Sequence, residues 1–440
     1  MNNPSEFVQW FRSAAPYIRT FRGQTFVIAF DGEVIEDGNF VELTHDINLL
    51  ASIGVKIVLV HGARPQIERT IKSKNVEPLL SKHGIRITDE RALSCVKEAN
   101  GRLRLEIEAL LSMGLPNTPL MGSEIRVSSG NFVIAKPKGI VDGEDMLFSG
   151  DVRKIHHLAI KQRLDNNELV LISPIGYSPT GEIFNLTHED VAAEVAINLN
   201  ASKLIFLVNS SGQSDADGKL LRELTSSELK ALRESKYSFA EQDNRVIANT
   251  IKASESGVDR VHLINRSLDG AMLLELFTHE GIGSMISRDP LEKIRKATVD
   301  DVGGILSLIE PLENAGVLIR RPRENLENEI QKFTVVEHDG LIAGTVALNT
   351  FEEASKAELA CLAVHPAFQN AGVGERLLRI IEQDCSKLKI NEIFVLTTAS
   401  SHWFLENGFK QASMDTLPKE KAALYNYERN SKIYTKHVSA

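Results

Sequence analysis

Residues 358–388, ELACLAVHPAFQNAGVGERLLRIIEQDCSKL, set the architecture of this chain. Leu359, Cys361, Leu362, Ala363 and Val364 form a nearly continuous apolar run, the pattern of a buried strand. His365-Pro366 ends it, because proline has no ladder donor. Then come Gln369-Asn370-Ala371-Gly372-Val373-Gly374 and an amphipathic helix carrying Leu377, Leu378, Ile380 and Ile381. Two glycines between strand and helix let several backbone N–H groups point into one concavity. With the positive helix N-terminus behind them, those donors suit a phosphate or pyrophosphate. No Gly-Lys-Ser/Thr follows, so this is not a Walker A loop. No third glycine follows either, which excludes the dinucleotide fingerprint.

The pattern Q/R-x-x-G-x-G/A between strand and helix resembles motif A of the GNAT acyltransferases. The resemblance implies an acetyl-CoA site, with the pyrophosphate on the loop. Its contacts are expected from Cys361, Leu362, Ala363 and Val364, and from Gln369, Asn370, Ala371, Gly372, Val373 and Gly374. Gln369 stands where arginine is commoner, and Ala371 replaces a frequent glycine. Backbone donors survive both changes, so weaker phosphate contacts are expected rather than none.

The chain has 440 residues, enough for two or three domains. A net charge of −9 argues against non-specific binding to nucleic acid. No apolar run approaches a membrane span, and MNNPSEFVQWFR lacks the charge and apolar pattern of a signal peptide. Cys95, Cys361 and Cys385 are far apart and odd in number, with no C-x-x-C. A reduced, cytoplasmic protein without a metal site is expected.

Residues 1 to about 22 read as a helix broken or kinked at Pro16. Its apolar face, with Phe7, Val8 and Phe11, packs either on its own domain or on a neighbouring subunit. From Thr25 onward, strands at Thr25–Phe30, Lys56–Val60, Glu168–Ile172, Lys203–Val208 and Arg260–Ile264 alternate with helices. That order predicts a mainly parallel α/β sheet covered on both faces. Ser128–Pro137 reads as an extra hairpin, and a turn is expected around Gly181.

In this part, HGARPQI (61–67), SKHGIRITDERAL (81–93) and LLELFTHEGIGSMI (273–286) resemble the amino-acid kinase family, in its acetylglutamate kinase branch. The family's first strand ends in Lys-x-Gly-Gly. Here Ala29-Phe30-Asp31-Gly32 puts an anion about where the lysine belongs, and HGGGP has become His61-Gly62-Ala63-Arg64-Pro65. Phosphoryl transfer needs cations and backbone amides on the moving group. A kinase fold without kinase activity is therefore expected over residues 1–285, with 286–291 as linker. The stretch VHLINRSLDGAMLLELFTHEGIGS (261–284) resembles the part of arginine-inhibited acetylglutamate kinases that holds arginine. The resemblance implies an effector site with Glu275 on the guanidinium and the backbone of Gly281, Gly283 and Ser284 on the carboxylate. His262, Tyr17 and Lys203 stand nearby. The plainer reading makes Glu275 a solvated helix residue and His262 a core histidine.

Residues 292–440 read as the second domain. Thr298 is an N-cap with Asp300 and Asp301 after it. His338-Asp339-Gly340 turns a hairpin, Glu392–Leu396 is a strand beyond the motif helix, and Ser431–Val438 closes the sheet. Amine acetylation requires a base for the amine, polarisation of the thioester and an acid for the thiolate. Glu358 is the candidate base. A backbone N–H beyond a bulge among Cys361–Ala363 would polarise the carbonyl. Thr397, Thr398 or water would supply the acid, where many GNAT enzymes carry tyrosine. Direct attack is expected, with Cys361 as nucleophile the less favoured route.

The two halves joined, with CLAVHPAFQNAGVGERLL, LTT and HWFLENGF, resemble the bacterial N-acetylglutamate synthases over nearly the whole chain. That resemblance implies transfer of acetyl from acetyl-CoA to L-glutamate, the first step of arginine synthesis, with L-arginine as inhibitor. It implies Glu358 as base and Thr397 as acid. Arg321, Arg429 and Ser431, with main-chain groups of Ile319 and Cys361, would hold glutamate. A homo-oligomer, a hexamer, goes with it. Acetylation of another amine, and an arginine sensor with an inactive second domain, are the rival readings.

Overall fold

The structure, a computed structural model, describes residues 4–438 apart from 81–85, 114–124, 216, 236–240, 279–280, 370 and 428. Two compact units divide the chain, Met1–Asp289 and Pro290–Ala440.

The first unit is built on an eight-stranded sheet. Its order is Glu223–Thr225, Ser284–Ser287, Arg260–Asn265, Lys203–Val208, Thr25–Phe30, Lys56–His61, Glu168–Ile172 and Arg126–Ser129. Pairing is parallel except where Ser284–Ser287 runs against Arg260–Asn265. The runs FVIAF (26–30) and IVLV (57–60) are apolar at every position because both faces are covered. Alternate residues serve opposite layers. Val27, Ala29, Val58 and Val60 pack with the helices His188–Leu199 and Glu241–Glu255. Phe26, Ile28, Phe30, Ile57 and Leu59 pack with the helices Phe40–Ser52 and Glu90–Leu111.

Several expectations are corrected here. Residues Ser128–Pro137 are not a hairpin: Arg126–Ser129 joins the large sheet beside Glu168–Ile172. Val133–Pro137 enters a separate four-stranded sheet, antiparallel to Gly150–Ile155. Local periodicity reports strand character, not the partner, and both partners lie far away in sequence. The expected linker from 286 begins inside a strand, since Met285–Ser287 are buried sheet residues. The turn at Gly181, with φ of +90°, lies between Ile175–Tyr177 and Ile183–Asn185 as read. The N-terminal helix runs unbroken through Pro16, from Pro4 to Phe21. Ala14 and Phe21 are buried, Phe21 edge-on to Phe277 at 5.5 Å, while Phe7, Val8, Trp10 and Phe11 are exposed.

The second unit is one seven-stranded sheet. Its order is Glu292–Lys296, Phe333–His338, Leu341–Phe351, Lys356–Val364, Glu392–Thr397, Lys432–His437 and Lys410–Ala412. Lys356–Val364 and Glu392–Thr397 run parallel, so a crossover must join them. The helix Val373–Lys387 makes it, burying Val373, Leu377, Leu378, Ile381 and Cys385 against the sheet. Thr298 and Asp301 cap reciprocally the 3₁₀ turn Val299–Asp301 that leads into the helix Val302–Asn314, with Thr298 as the N-cap the sequence indicated. Lys432–His437 does not close the sheet: Lys410–Ala412 lies outside it, a strand too short and polar to be legible beforehand.

His61 ends the second strand of the first unit wholly buried, its Nδ1 3.0 Å from Gly62 O and its Nε2 2.8 Å from Ser173 Oγ. Burial is the main cause that lowers it from 6.5 to about 4. The unfolded chain therefore takes up this proton at higher pH than the folded one. Stability is fully present above pH 6.5 and lost as pH falls toward 4, by about 3 kcal/mol for such a shift. The thermal transition of the first unit should fall across that window, and in His61→Gln the fall should be smaller.

Candidate active site

The strand Lys356–Val364 carries the second unit's chemistry. Against Leu341–Phe351 its register is Ala360 opposite Ala347, then Ala363 opposite Thr345, so Cys361 and Leu362 share one position. This is a β-bulge, and Cys361 takes φ of +50° there. Such backbone costs about 1–2 kcal/mol in a non-glycine residue. The bulge keeps both Ala360 and Cys361 on one face, with Ala363. Leu359, Leu362 and Val364 face the motif helix instead. On the other edge, pairing with Glu392–Thr397 stops after Glu358 and Phe394. The strands part beyond that point and leave backbone groups facing an opening.

A cavity of about 690 Å³ fills the opening. Cys361, Leu362, Val364, Gln369, Gly372, Val373 and Gly374 line it, joined by Glu358, Thr397, Ile319, Arg321, Arg429 and Ser431. Every expected catalytic and acceptor-binding residue is therefore at one cavity. Of the expected cofactor residues, Ala363 is turned into the core and Ala371 is exposed beside the loop. Asn370 lies outside the described residues. Gly372 has φ of +73°, and a Cβ on Gly374 would stand 3.0 Å from the Trp403 ring. Both glycines leave a cradle that side chains would fill.

Glu358 is 7% exposed and its carboxylate is fully engaged. Asn349, its cross-strand partner, donates to Oε2 at 3.1 Å. Lys421 Nζ lies 2.6 Å from Oε1 and 2.8 Å from Oε2. Thr397 is buried, and its Oγ1 accepts from the amides of Ala399 at 3.3 Å and Ser400 at 3.1 Å. What that hydroxyl offers the cavity is its proton. Thr398 is exposed and outside the lining. Tyr425 lines the cavity but donates its hydroxyl to Ser431 O at 2.7 Å. Burial pushes the Cys361 thiol up, which disfavours the thiolate a nucleophile needs. Arg429 donates to Val317 O, and Arg321 faces Glu329 at 3.8 Å.

In the first unit, Lys203, His262 and Glu275 form a buried chain. Lys203 Nζ lies 3.2 Å from His262 Nε2, and His262 Nδ1 lies 2.8 Å from Glu275 Oε1. Ile282 and Gly283 donate backbone N–H to Glu275 Oε2, each at 2.8 Å. Neutral histidine fits this arrangement, its Nδ1–H donating to Glu275 and its Nε2 accepting from the ammonium. Burial and then Lys203 lower His262 to about 4. Burial raises Glu275, but the His262 hydrogen bond and the two amides outweigh it and hold the group at about 2. Lys203 also lies 5.3 Å over the Phe21 ring, which touches Tyr17. Gly281 has φ of +59° within the same turn. Ser284 Oγ is spent inside the fold, accepting from Gln213 N and donating to Leu221 O. A second cavity of about 830 Å³ opens between Asp31, Gly62, Arg64, Asn185, His188 and Arg245.

The profile of the amino acid kinase family matches residues 24–265, and that of the acetyltransferase (GNAT) domain matches residues 329–411. An amino-acid acetyltransferase of Ralstonia nicotianae is 48% identical over 434 residues, which is 98% of this chain and 96% of that one. The chain belongs to the amino-acid acetyltransferase family. The crystal structure of N-acetylglutamate synthase from Neisseria gonorrhoeae complexed with coenzyme A and L-arginine is 39% identical with a TM-score of 0.89, covering 99% of this chain and 100% of that one. The same enzyme complexed with coenzyme A and N-acetyl-glutamate is 40% identical with a TM-score of 0.62 and the same coverage.

For this acetyltransferase the sequence reading missed Lys421 and Asn349. Asn349 could have been found from the hairpin register, which sets it opposite Glu358. Lys421, in PKEKAALYN, carries no local signal. The reading of Glu275 as a possible solvated helix residue is overturned, since its carboxylate is buried on three donors. Glu275→Ala would leave those donors unsatisfied. The cost expected for breaking a buried pair is about 3 kcal/mol or more, seen as an earlier urea-unfolding transition of the full chain.

Proposed function

We propose that this chain is an N-acetylglutamate synthase, moving the acetyl group of acetyl-CoA to the amino group of L-glutamate at the start of arginine synthesis. One observation carries the reading. A bulged strand, the glycine loop after it and the neighbouring elements bring a buried carboxylate, two glycines, a buried threonine and two arginines to one cavity.

Glu358 takes the proton of the acceptor's ammonium, directly or through water, so that the amine can attack. A backbone N–H beyond the bulge, among Cys361–Ala363, polarises the thioester oxygen as a preorganised donor that needs no rearrangement. Thr397 returns a proton to the departing thiolate. The nest at Gly372 and Gly374, with the helix Val373–Lys387 behind it, holds the pyrophosphate. Arg321, Arg429 and Ser431, with main-chain groups of Ile319 and Cys361, hold the glutamate.

The first unit, residues 1–289, serves regulation. L-Arginine binds around Tyr17, Lys203, His262, Glu275, Gly281, Gly283 and the backbone of Ser284. Because Glu275 already holds His262 and two amides, a guanidinium arriving there must reorganise those contacts. An effector needs such differential affinity for two arrangements. Asp31 at the second cavity supports a kinase-like unit without phosphoryl transfer. The exposed apolar start of the first helix supports a homo-oligomer, for which the family resemblance implies a hexamer, and three unpaired cysteines support a cytoplasmic enzyme. Among the described residues no helix is long and apolar enough to cross a membrane.

The test is release of free thiol from acetyl-CoA with a panel of amino acids, with and without L-arginine. Glutamate should give the fastest release and arginine should slow it; thiol release independent of glutamate would overturn the reading. Glu358→Gln should lower kcat by about 10²–10⁴, the share of a general base, with acetyl-CoA affinity unchanged by calorimetry. Gly372→Asp, which adds a side chain at φ of +73° and an anion at the phosphate nest, should abolish coenzyme A binding in the same calorimeter.

A further inference from the structure

Lys421 presents a problem for the mechanism just given, and its solution assigns the residue a role. Its ammonium faces both oxygens of Glu358, at 2.6 and 2.8 Å. With Lys421 and Asn349 on its oxygens, the carboxylate is blocked to an incoming ammonium, which would also be repelled by Lys421 at the same place. The base must therefore be uncovered when the acceptor binds. The backbone is not free to carry Lys421 away. Ala422 and Tyr425, on and after the short helix Lys419–Ala423, pack against Phe394, Leu417 and Ile433. Tyr425 is tied to Ser431 as well. The four-carbon stem is what can move, and it lets the ammonium shift while the helix stays in place.

Resting on the synthase reading, we propose that Lys421 selects a dicarboxylic acceptor and couples its arrival to release of the base. Arg321, Arg429 and Lys421 all line the same cavity as Glu358. Every amino acid brings one carboxylate, which the two arginines can hold. A second, side-chain carboxylate draws the Lys421 ammonium off Glu358 and leaves that base open to the amine. An acceptor whose side chain ends in a neutral amide has no charge to draw it, so Lys421 stays on Glu358. Glutamate is thus told from glutamine both in binding and in readiness of the base. Lys421 does not itself touch the reacting atoms; it is a specificity and positioning residue.

The experiment is steady-state kinetics of the full chain with glutamate and with glutamine, for the unaltered protein, Lys421→Gln and Lys421→Arg. In Lys421→Gln the glutamate KM should rise at least tenfold, and the glutamate-to-glutamine ratio of kcat/KM should fall at least tenfold. The kcat/KM for glutamine should hold or increase, because its base is no longer covered. Lys421→Arg, still cationic, should keep most of the glutamate preference. Should Lys421→Gln lose coenzyme A binding by calorimetry, Lys421→Met is read for the same ratio. Equal losses on both acceptors, with the ratio unchanged, would overturn the proposal and leave Lys421 as a support for Glu358 alone. If the unaltered protein shows no glutamate-dependent thiol release, the synthase reading falls and this proposal with it. An active unaltered protein with an unchanged ratio sinks the selector only.

Discussion

The second unit depends on two residues occupying one position opposite Val346. Cys361 and Leu362 do so in the strand Lys356–Val364, and a regular strand in their place would undo the site. A one-residue slip flips every following side chain to the other face. Without the bulge, Cys361 would turn toward the motif helix and Leu362 away from it. The bulge also coincides with the place where the parallel partner departs, after Glu358 and Phe394. Unpaired backbone is costly when buried, so groups left open there are suited to a ligand. Strain at Cys361, the gap between strands and the cavity are one feature seen from three sides.

Buried charge is handled in opposite ways by the two units. In the first, Lys203, His262 and Glu275 are linked in a buried row, with two backbone amides on the other Glu275 oxygen. Breaking a pair of this kind strands a charge in the interior. In the second, Glu358 is paired just as closely, yet its partner Lys421 is 23% exposed and borne on a flexible stem. One arrangement resists change unless a ligand offers replacement contacts. The other is poised to exchange partners within a cavity. The same Coulomb attraction thus suits the proposed switch in one place and the proposed selector in the other.

The motif stretch 358–388 was legible because its information is local. An apolar run, a proline, two glycines and a helical period each act within a few residues, and the structure has the strand, turn and helix there. Capping at Thr298 and the turn at Gly181 belong to the same class. The apolar runs of the first unit also declared a sheet covered on both sides. Resemblance then carried Arg321, Arg429 and Ser431 to the site, residues whose own spacing says nothing.

What the sequence determined by itself was the set of elements, the presence of two folds and the residue types available for chemistry. Those follow from periodicity, turn residues and propensities, which are written in neighbouring positions. The tertiary structure decided the partners. It sent Arg126–Ser129 and Val133–Pro137 to different sheets, drew Met285–Ser287 into the first sheet, and placed Lys410–Ala412 outside the last strand. It closed Glu275 on His262 and set Lys421 on Glu358, 63 residues apart in the chain. Pairing of strands and of charges across such separations is fixed by how whole layers pack, and no window of sequence contains that information.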